Sequence, residues 1–409
     1  MLNWAKQFNI FCFLDNRQYN FTAPAFECLL GAGIKRRIEL PAGNAFQALK
    51  QFCNKENNEW LFGHFGYDLK NETEQLHPIK KSAQGFADMH FYVPQIIVRL
   101  TEKQVTIITE EDAAVIMDQI ESLPPFIEPL ISREVFIKNR ISKEEYLLTI
   151  AKLKKHIHLG DCYEINFCQE FFAEFIKIEP VAMYQRLLQE SPNPFAALYK
   201  VNDNYCLCAS PERFLKKTGN KLISQPIKGT SKRDLTDEEQ DRKNREYLFS
   251  SSKEKSENVM VVDLVRNDLS RICEEGTVKV DELFGVYSFP QVHQLISTIS
   301  GELKEGLHWV DAIKETFPMG SMTGAPKKKV MELIGAYEQS NRGLFSGSIG
   351  YVNPEGDFDF NVVIRSIFYN TSTLYLSFQT GSGITFNSDP EKEYEECLWK
   401  AAAMQTILR

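Results

Sequence analysis

Two pairs of glutamates in this sequence have members three positions apart. Glu254 and Glu257 come just before an apolar run, and this spacing would place them on the same side of a helix. Glu393 and Glu396 repeat the spacing after Pro390, a residue suited to the first turn of a helix. Carboxylates offered by two helices suit a hard cation such as Mg²⁺, which prefers oxygen ligands and keeps several waters. Solvated surface glutamates show the same spacing, so the pattern alone leaves both interpretations open.

Lys228 lies in a segment, residues 221–234, whose pattern predicts a strand followed by a tight turn. Apolar and β-branched residues begin the segment, Pro226 fixes φ, and Gly229 permits the backbone to reverse. A lysine at such a corner can point into a cleft, or it can remain a solvated surface charge. The local pattern is compatible with both.

The overall charge argues against a general affinity for nucleic acid. The chain of 409 residues has 55 acidic and 47 basic side chains and a net charge of -8, so an anionic substrate must be held by locally placed positive groups. Hydrophobic residues make up 43% of the chain and aromatic residues 12%, which is enough for a large core and argues against disorder. The length predicts two or three domains.

The cysteines are typical of a reducing compartment. Nine cysteines are scattered without a Cys-X-X-Cys pair, which argues against a disulfide framework and a structural zinc site. The N-terminus has no basic region followed by an apolar stretch, and no apolar run is long enough to span a membrane. We therefore expect a cytoplasmic protein that is neither exported nor embedded in a membrane.

The pattern of elements predicts helices and antiparallel hairpins. Ser142 and Glu145 form a capping box that begins a helix, and residues 161–172 then form a strand. This strand carries Asn166 and Gln169, polar residues that are either functional or satisfied by neighbouring backbone groups. Short connections between the strands of the C-terminal third favour antiparallel pairing and an α+β fold.

Two further helices carry charged residues that bear on function. Residues 236–256 read as a charged helix, with Glu254 and Glu257 near its end. Another helix begins at Pro326, and lysines occupy positions 327–329 in its first turns. Positive charge there opposes the helix dipole, so either solvent screens the lysines or an anion lies nearby. The sequence before residue 130 shows no catalytic constellation, and the prolines of 123–129 mark a candidate boundary.

Five motifs occur in one order along the chain. They are Pro-Ile-Lys-Gly-Thr at 226–230, the acidic and apolar stretch 257–268, Gly-Ser-Met-Thr-Gly-Ala-Pro at 320–326, the glycine-rich stretch 342–351, and Gly-Ser-Gly-Ile at 381–384 with Ser-Asp-Pro at 388–390. Together they resemble the chorismate-utilising enzymes, a family that includes anthranilate synthase, isochorismate synthase, salicylate synthase and aminodeoxychorismate synthase. The resemblance implies an α+β sandwich of two packed antiparallel sheets flanked by helices. It covers a catalytic region at 142–405, with a weaker likeness at 63–69, and implies that residues 1–130 are interleaved with that region.

The resemblance assigns a nucleophile and an acid. Members that aminate chorismate at C4, the aminodeoxychorismate synthases, have lysine in the first motif, where anthranilate synthases typically have alanine. Lys228 would therefore attack C2 as a neutral amine, its pKa lowered by burial or by neighbouring positive charge, before ammonia enters at C4 and expels it. Glu212 matches the general acid, which needs a raised pKa. Gln169 matches the position of the lysine base in water-adding members, and its neutral amide argues against water addition.

The resemblance also implies a Mg²⁺ site and contacts to the substrate. Glu257 and Glu396 match direct Mg²⁺ ligands, and Glu254 and Glu393 match the pair that acts through water. The metal would neutralise the ring carboxylate and hold it in place. His293 matches a catalytic histidine beside the ring, although a lone histidine is more often packed and structural. The residues that match other substrate contacts are Thr230, Thr323, Tyr351, Arg365, Gly381, Gly383 and Lys400.

The resemblance further implies partner enzymes. The sequence contains no nucleophilic cysteine and histidine of a glutamine amidotransferase, and no lyase region follows Arg409. A separate glutaminase subunit would deliver ammonia, and a lyase would then complete 4-aminobenzoate for folate synthesis. Two departures from the family are visible: Glu164 stands where relatives often have glutamine, and the N-terminal region lacks the Leu-Leu-Glu-Ser motif of tryptophan-inhibited anthranilate synthases.

Two rival functions follow from the same sequence. An anthranilate synthase component I would place the amino group at C2 and release pyruvate. A non-catalytic relative would bind chorismate or a glutaminase without turnover. A protein that only binds would not need a complete set of nucleophile, acid and metal ligands, so the presence of this set argues against the non-catalytic function.

Overall fold

Two antiparallel sheets form the centre of the fold in the computed structural model, which describes residues 1–19, 26–53, 58–76, 82–124 and 135–408. The strands within these ranges are Ile10–Asp15 (β1), Cys28–Ala32 (β2), Arg36–Leu40 (β3), Leu61–Phe65 (β4), Met89–Val93 (β5), Ile96–Leu100 (β6), Val105–Thr109 (β7), Lys138–Asn139 (β8), Glu164–Ala173 (β9), Phe195–Val201 (β10), Asn204–Ser210 (β11), Arg213–Thr218 (β12), Lys221–Gln225 (β13), Ile227–Lys232 (β14), Lys279–Ser288 (β15), Val292–Glu302 (β16), Gly324–Ala325 (β17), Ser348–Val352 (β18), Phe358–Asn361 (β19), Ser366–Asn370 (β20) and Tyr375–Thr385 (β21). The helices are Leu2–Ala5 (α1), Ala45–Cys53 (α2), Lys70–Thr73 (α3), Ala113–Ser122 (α4), Lys143–His158 (α5), Pro180–Glu190 (α6), Glu238–Ser250 (α7), Ser252–Ile272 (α8), Trp309–Thr316 (α9), Lys327–Tyr337 (α10) and Pro390–Thr406 (α11). Short 3₁₀ turns occur at Tyr67–Leu69 and Gly320–Met322.

The two sheets have eleven and ten strands among the described residues. The first has the order β17-β9-β21-β20-β11-β10-β1-β2-β6-β7, with β8 paired to β9. The second has the order β14-β16-β13-β12-β19-β18-β4-β5-β3, with β15 paired to β16. Each strand pairing is antiparallel. Each sheet combines strands from the N-terminal part of the chain with strands from later parts. The N-terminal strands β1, β2, β6 and β7 extend the first sheet, and β3 to β5 extend the second.

The sheets pack face to face across one hydrophobic cluster, which also contains apolar side chains of α2, α8 and α9. Phe62 and Phe91 of the second sheet share this cluster with Tyr199 of the first. The Tyr92 hydroxyl donates a hydrogen bond of 2.8 Å to the backbone oxygen of Gly31 and so links β5 to β2. A second cluster packs α4, α6 and α11 on the first sheet. The predicted α+β sandwich flanked by helices is confirmed.

The helix predicted after Ser142 is α5, and its capping box is present. The Ser142 hydroxyl accepts a hydrogen bond from the Glu145 backbone N–H at 3.2 Å, and the Glu145 carboxylate accepts one from the Ser142 N–H at 2.8 Å. A cap of this kind contributes about 1 kcal/mol to helix stability. The prediction of this helix start is confirmed.

The end predicted for the charged helix over 236–256 is wrong. The observed helix, α7, ends at Ser250, and Ser251 caps the next helix, α8. The Ser251 hydroxyl accepts a hydrogen bond of 3.3 Å from the Glu254 N–H. Val261, Val262 and Val265 of the apolar run that follows lie on the buried face of α8. Glu254 and Glu257 therefore lie in the first turns of a long helix and not at the end of a charged one.

Other predictions about the chain have mixed outcomes. Lys327 at the start of α10 pairs with Asp268 at 2.7 Å, so an internal carboxylate serves as the anion there.

The boundary predicted at 123–129 lies largely outside the described residues, and the division into 1–130 and 142–405 stays a prediction. Among the helices described, none combines the length and the apolar character needed to cross a bilayer.

Candidate active site

A cavity of about 440 Å³ lies where β14, at the edge of the second sheet, approaches β21 of the first. The first turns of α8 and of α11 close its sides. It collects segments that are far apart in the sequence. The predicted site residues that line it are Glu212, Lys228, Thr230, Glu254, Glu257, Arg365, Gly381, Gly383, Glu393, Glu396 and Lys400.

The two glutamate pairs meet across this cavity. Glu257 of α8 and Glu393 of α11 are both buried, and their carboxylates flank the ammonium group of Lys253. The Lys253 Nζ lies 3.8 Å from Oε1 of Glu257 and 3.9 Å from Oε1 of Glu393. A single positive charge thus lies between carboxylates from the two helices. The fold therefore brings the two glutamate pairs together, which their spacing in the sequence could not establish.

Burial and neighbouring charges shift the pKa values of these carboxylates in different directions. Burial raises the pKa of Glu257 to about 7, although the Lys228 ammonium acts against it. Burial also raises the pKa of Glu254. Burial acts in the same direction on Glu396, but Lys400, whose Nζ lies 2.7 Å from its Oε1, outweighs burial together with Lys228 and Lys253 and leaves the pKa lowered. A cation placed among these groups would favour their charged forms.

The donor set fits a hard divalent cation. All four side chains offer carboxylate oxygens, and Oε1 of Glu257 is buried without a hydrogen-bond partner among the described residues. As the side chains are oriented, no three His, Cys, Asp or Glu residues in the described ranges are close enough to hold a metal ion. Binding would therefore require the carboxylates to turn toward a common centre.

Lys228 points from β14 into the cavity. Its Nζ donates a hydrogen bond to Oε1 of Glu164 and lies 4.0 Å from Oε2 of Glu257. Burial lowers the pKa of Lys228, but the carboxylates of Glu164, Glu257 and Glu396 together outweigh burial and raise it above its ordinary value. The predicted lowering of this pKa is wrong, because carboxylates and not positive groups surround the amine.

Glu212 lies in the same cavity, between β11 and β12, and is 3% exposed. The Ser321 hydroxyl donates a hydrogen bond of 2.6 Å to Oε1 of Glu212. Burial raises the pKa of Glu212 to about 7, against the opposing effects of this hydrogen bond and of Lys228. A carboxyl group with this pKa retains a proton near neutral pH and can donate it to a leaving group.

Two cationic side chains provide positive charge for an anionic substrate. Burial lowers the pKa of Arg365 to about 10, and the guanidinium lies 5.9 Å from the centre of the Trp399 ring. The Arg365 backbone has a φ of 52°, a left-handed conformation that non-glycine residues adopt at a cost. Lys400 donates a hydrogen bond of 3.0 Å to the backbone oxygen of Gly381. Arginine in such a position is suited to a bidentate contact with a carboxylate.

Tyr351 and Thr323, predicted to contact the substrate, do not line this cavity. The Tyr351 ring packs against Phe26 and Trp60, at 5.5 Å and 5.7 Å between ring centres. The Thr323 hydroxyl donates to the backbone oxygen of Met319 at 3.0 Å, so its proton is already used. The structure does not bring these two residues to the cavity, and their contacts with the substrate stay predictions.

Gln169, predicted to lie at the position of a water-activating base, is also outside the cavity. It points from β9 toward α11, where its Nε2 lies 3.3 Å from Sγ of Cys397. Glu164, five positions earlier on the same strand, is the residue that meets Lys228. On β9, therefore, the side chain that contacts Lys228 is that of Glu164 and not that of Gln169.

His293 is likewise turned away from the cavity. Its Nδ1 lies 2.8 Å from the Ser288 hydroxyl and its Nε2 lies 3.1 Å from Oδ1 of Asp241. Successive side chains of a strand point to opposite faces, so the neighbouring Gln294 lines the cavity instead. Gln294 is 3% exposed, and its Oε1 has no hydrogen-bond partner in the part of the chain that is described. The packed, structural interpretation of the histidine fits this geometry.

Sequence reasoning missed several residues that line the cavity. Ser321 and Phe345 lie within the motifs at 320–326 and 342–351, so membership of a motif could have indicated them. Lys253 had the weaker signal of its position next to Glu254. Nothing in the sequence indicated Trp399 or Gln294, because only the fold orients their side chains toward the cavity.

The chain belongs to the chorismate-binding enzyme family, whose family model matches residues 11–406. Among its relatives, aminodeoxychorismate synthase component 1 of Klebsiella aerogenes is 35% identical over 337 residues, which are 82% of this chain and 74% of the relative. Anthranilate synthase component 1 of Cereibacter sphaeroides is 30% identical over 95% of this chain and 81% of the relative.

A solved structure shows the same fold. The crystal structure of anthranilate synthase component I from Streptococcus pneumoniae TIGR4 aligns with a TM-score of 0.82 at 26% identity. The alignment covers 96% of this chain and 94% of that one. The family resemblance inferred from the five motifs is thereby confirmed.

Proposed function

We propose that this protein aminates chorismate at C4 and forms 4-amino-4-deoxychorismate. The observation that carries the proposal is the position of Lys228, which shares one cavity with the protonatable Glu212 and with four glutamates from two helices. The names of relatives support it, since proteins called aminodeoxychorismate synthase component 1 are 35% and 36% identical to most of the chain. Lysine in this motif is also the residue typical of the C4-aminating branch.

The first chemical step joins Lys228 to the substrate. The neutral amine attacks C2, the C2–N bond forms, the ring double bonds shift, and the C4–O bond breaks. Glu212 gives its proton to the departing hydroxyl, which leaves as water. Because neighbouring carboxylates raise the pKa of Lys228, the ammonium must lose a proton before the attack.

The second step replaces lysine by ammonia. Ammonia forms a bond to C4, the double bonds shift back, and the C2–N bond to Lys228 breaks. The enolpyruvyl group stays on the ring throughout, so no pyruvate is released. The lysine is regenerated, and it is therefore a covalent catalyst and not a reactant.

Charged groups around the cavity orient the dianionic substrate. Arg365, Gly383 and Lys400 line the cavity. We assign to Arg365 the contact with one carboxylate, and to Lys400 and the backbone of Gly383 the contact with the other. Glu257 and Glu396 would hold Mg²⁺ directly, with Glu254 and Glu393 acting through water. The bound metal would neutralise the ring carboxylate and fix its position.

The proposal includes partner proteins. Relatives are named component 1, which is consistent with a second component. We assign to that component the release of ammonia from glutamine, and to a separate lyase the conversion of the product to 4-aminobenzoate. A cytoplasmic location is part of the same proposal.

Product analysis tests this function. The purified protein is incubated with chorismate, Mg²⁺ and an ammonium salt, with and without an added aminodeoxychorismate lyase. Formation of 4-aminobenzoate only when the lyase is present supports the proposal. Direct formation of 2-aminobenzoate with pyruvate would identify an anthranilate synthase, and absence of any amination would favour a binding role.

A further inference from the structure

We propose that Glu164 is a positioning residue that fixes the amine of Lys228 in one position and holds it away from Glu257. The inference rests on the proposed function, because it concerns the nucleophile of that reaction. It adds a residue that the motif comparison left without a role.

The position of Glu164 is fixed by strands on both sides. Its backbone pairs with Thr385 of β21 and with Ala325 of β17. The side chain is 2% exposed, and Oε1 accepts the hydrogen bond from Nζ of Lys228. A buried carboxylate on a rigid strand can restrain a long, flexible lysine, whose amine would otherwise sample several rotamers.

Gly383 makes room for this contact. A Cβ at this position would lie 2.6 Å from Oε1 of Glu164 and closer still to Nζ of Lys228. The backbone of Gly383 pairs with Asn166 on the neighbouring strand, so it cannot move aside easily. The space that the missing side chain leaves is thus occupied by the Glu164–Lys228 pair.

Two carboxylates compete for the same ammonium group. Oε1 of Glu164 is hydrogen-bonded to it, whereas Oε2 of Glu257 lies 4.0 Å away. Glu257 belongs to the set that would hold Mg²⁺, and a lysine ammonium drawn to that set would repel a divalent cation. By holding Nζ, Glu164 leaves Glu257 available to the metal.

Three substitutions separate these effects. Glu164→Gln keeps an oxygen acceptor for Nζ, Glu164→Leu has a similar size without an acceptor, and Glu164→Asp withdraws the carboxylate by one methylene. For Glu164→Leu we expect a loss in kcat of about 100-fold, as is typical when a reacting group is misplaced by about 1 Å. The Mg²⁺ affinity of the substrate-free protein, measured by titration calorimetry, should fall by about tenfold.

The other variants make the outcome decisive. Glu164→Gln should keep Mg²⁺ affinity close to that of the unmodified protein. It should not lower kcat, because the amide oxygen still accepts from Nζ and loss of the Glu164 charge lowers the pKa of Lys228. Glu164→Asp should lose kcat by at least about tenfold. Equal losses in Glu164→Gln and Glu164→Leu would overturn the inference, as would an unchanged Mg²⁺ affinity in Glu164→Leu. Should Glu164→Leu not fold, the contrast between Glu164→Gln and Glu164→Asp decides in the same way.

The inference and the proposed function can fail separately. If the unmodified protein makes no 4-amino product, the proposed function is wrong, whereas the calorimetric comparison still tests the position of Lys228. If the unmodified protein makes that product and all three variants match it in kcat and Mg²⁺ affinity, only the role of Glu164 is wrong.

Discussion

The hydroxyl of Ser321 lies 2.6 Å from Oε1 of Glu212 and donates a hydrogen bond to it. Burial alone would favour the protonated carboxyl, whereas this bond favours the charged form, and the balance leaves a pKa of about 7. The turn at 320–322 therefore tunes the acid of the proposed reaction as well as shaping the cavity wall.

The first prediction concerns pH. The reacting form needs Glu212 protonated and Lys228 neutral, and the pKa of Lys228 lies above that of Glu212. The fraction of the protein in this form grows with pH up to about 7 and is then constant, so kcat should rise with pH and level off near pH 7. Ser321→Ala removes a bond to the charged form, so the pKa of Glu212 should rise and the levelling of kcat should move to higher pH. A kcat–pH profile of both proteins measures the shift. An unchanged profile in Ser321→Ala would show that another group is titrating.

The second prediction concerns the nucleophile. Lys228→Ala should lower formation of the 4-amino product by at least about 1,000-fold, since it removes the amine that forms the covalent adduct. Lys232→Ala, at the exposed end of the same strand, is the matched control and should leave the rate unchanged. Substantial C4 amination by Lys228→Ala would mean that ammonia attacks without covalent catalysis.

The third prediction concerns the metal. Glu257→Gln should weaken Mg²⁺ binding by at least about tenfold, and removal of Mg²⁺ with a chelator should abolish amination. Glu391→Gln is the control, because Glu391 is an exposed residue of α11 that pairs with Lys143 at 2.6 Å. Calorimetric titration with Mg²⁺ distinguishes the two. Full amination by metal-free protein would contradict the assignment.

The fourth prediction compares a predicted substrate contact that lines the cavity, Arg365, with one that lies outside it, Tyr351. Arg365→Lys loses the bidentate geometry and should raise KM for chorismate by about tenfold or more. Tyr351→Phe should leave KM unchanged, because Tyr351 packs among aromatic side chains outside the cavity. Steady-state kinetics of both variants provide the test. An increase in KM for Tyr351→Phe alone would support the predicted contact of Tyr351 with the substrate.

The fifth prediction concerns stability. His64 and His90 both contact the Tyr199 hydroxyl, at 3.1 Å and 2.8 Å, in the core between the sheets. Burial lowers the pKa of His64 to about 4 and that of His90 to about 3. Unfolded histidines bind protons below about pH 6.5, so the unfolded state takes up more protons than the folded state in this window. The free energy of unfolding should therefore decrease as pH falls from about 6.5 toward 4, by about 1.4 kcal/mol per unit for each histidine.

Urea denaturation at several pH values measures this dependence. A variant that combines His64→Gln with His90→Gln is expected to show a shallower decrease over the same pH range, since the amides do not titrate. An equal slope in both proteins would assign the effect to carboxylates elsewhere.

Features that depend on neighbours in the sequence were predictable. The capping box of Ser142 and Glu145 and the pairing of glutamates at i,i+3 need only a few residues of context. The two-sheet fold followed from the family resemblance, with short hairpin connections as independent support. Most of the predicted site residues line the cavity, because the segments that form its walls contain the motifs from which these residues were predicted.

Features that depend on strand direction or distant partners were not predictable. His293 and Gln294 are adjacent, and only the orientation of β16 decides which of them faces the cavity. The pKa of Lys228 depends on Glu164, which lies 64 positions away in the sequence. No local pattern contains this pairing, so the direction of the shift was wrongly predicted.

The most direct test of the central claim is the carbon to which nitrogen is added. Chorismate is incubated with the protein, Mg²⁺ and ¹⁵N-labelled ammonium, and the product is examined by NMR spectroscopy. The proposed reaction leaves ¹⁵N bonded to C4 and retains the enolpyruvyl group. Nitrogen at C2 together with released pyruvate would contradict it.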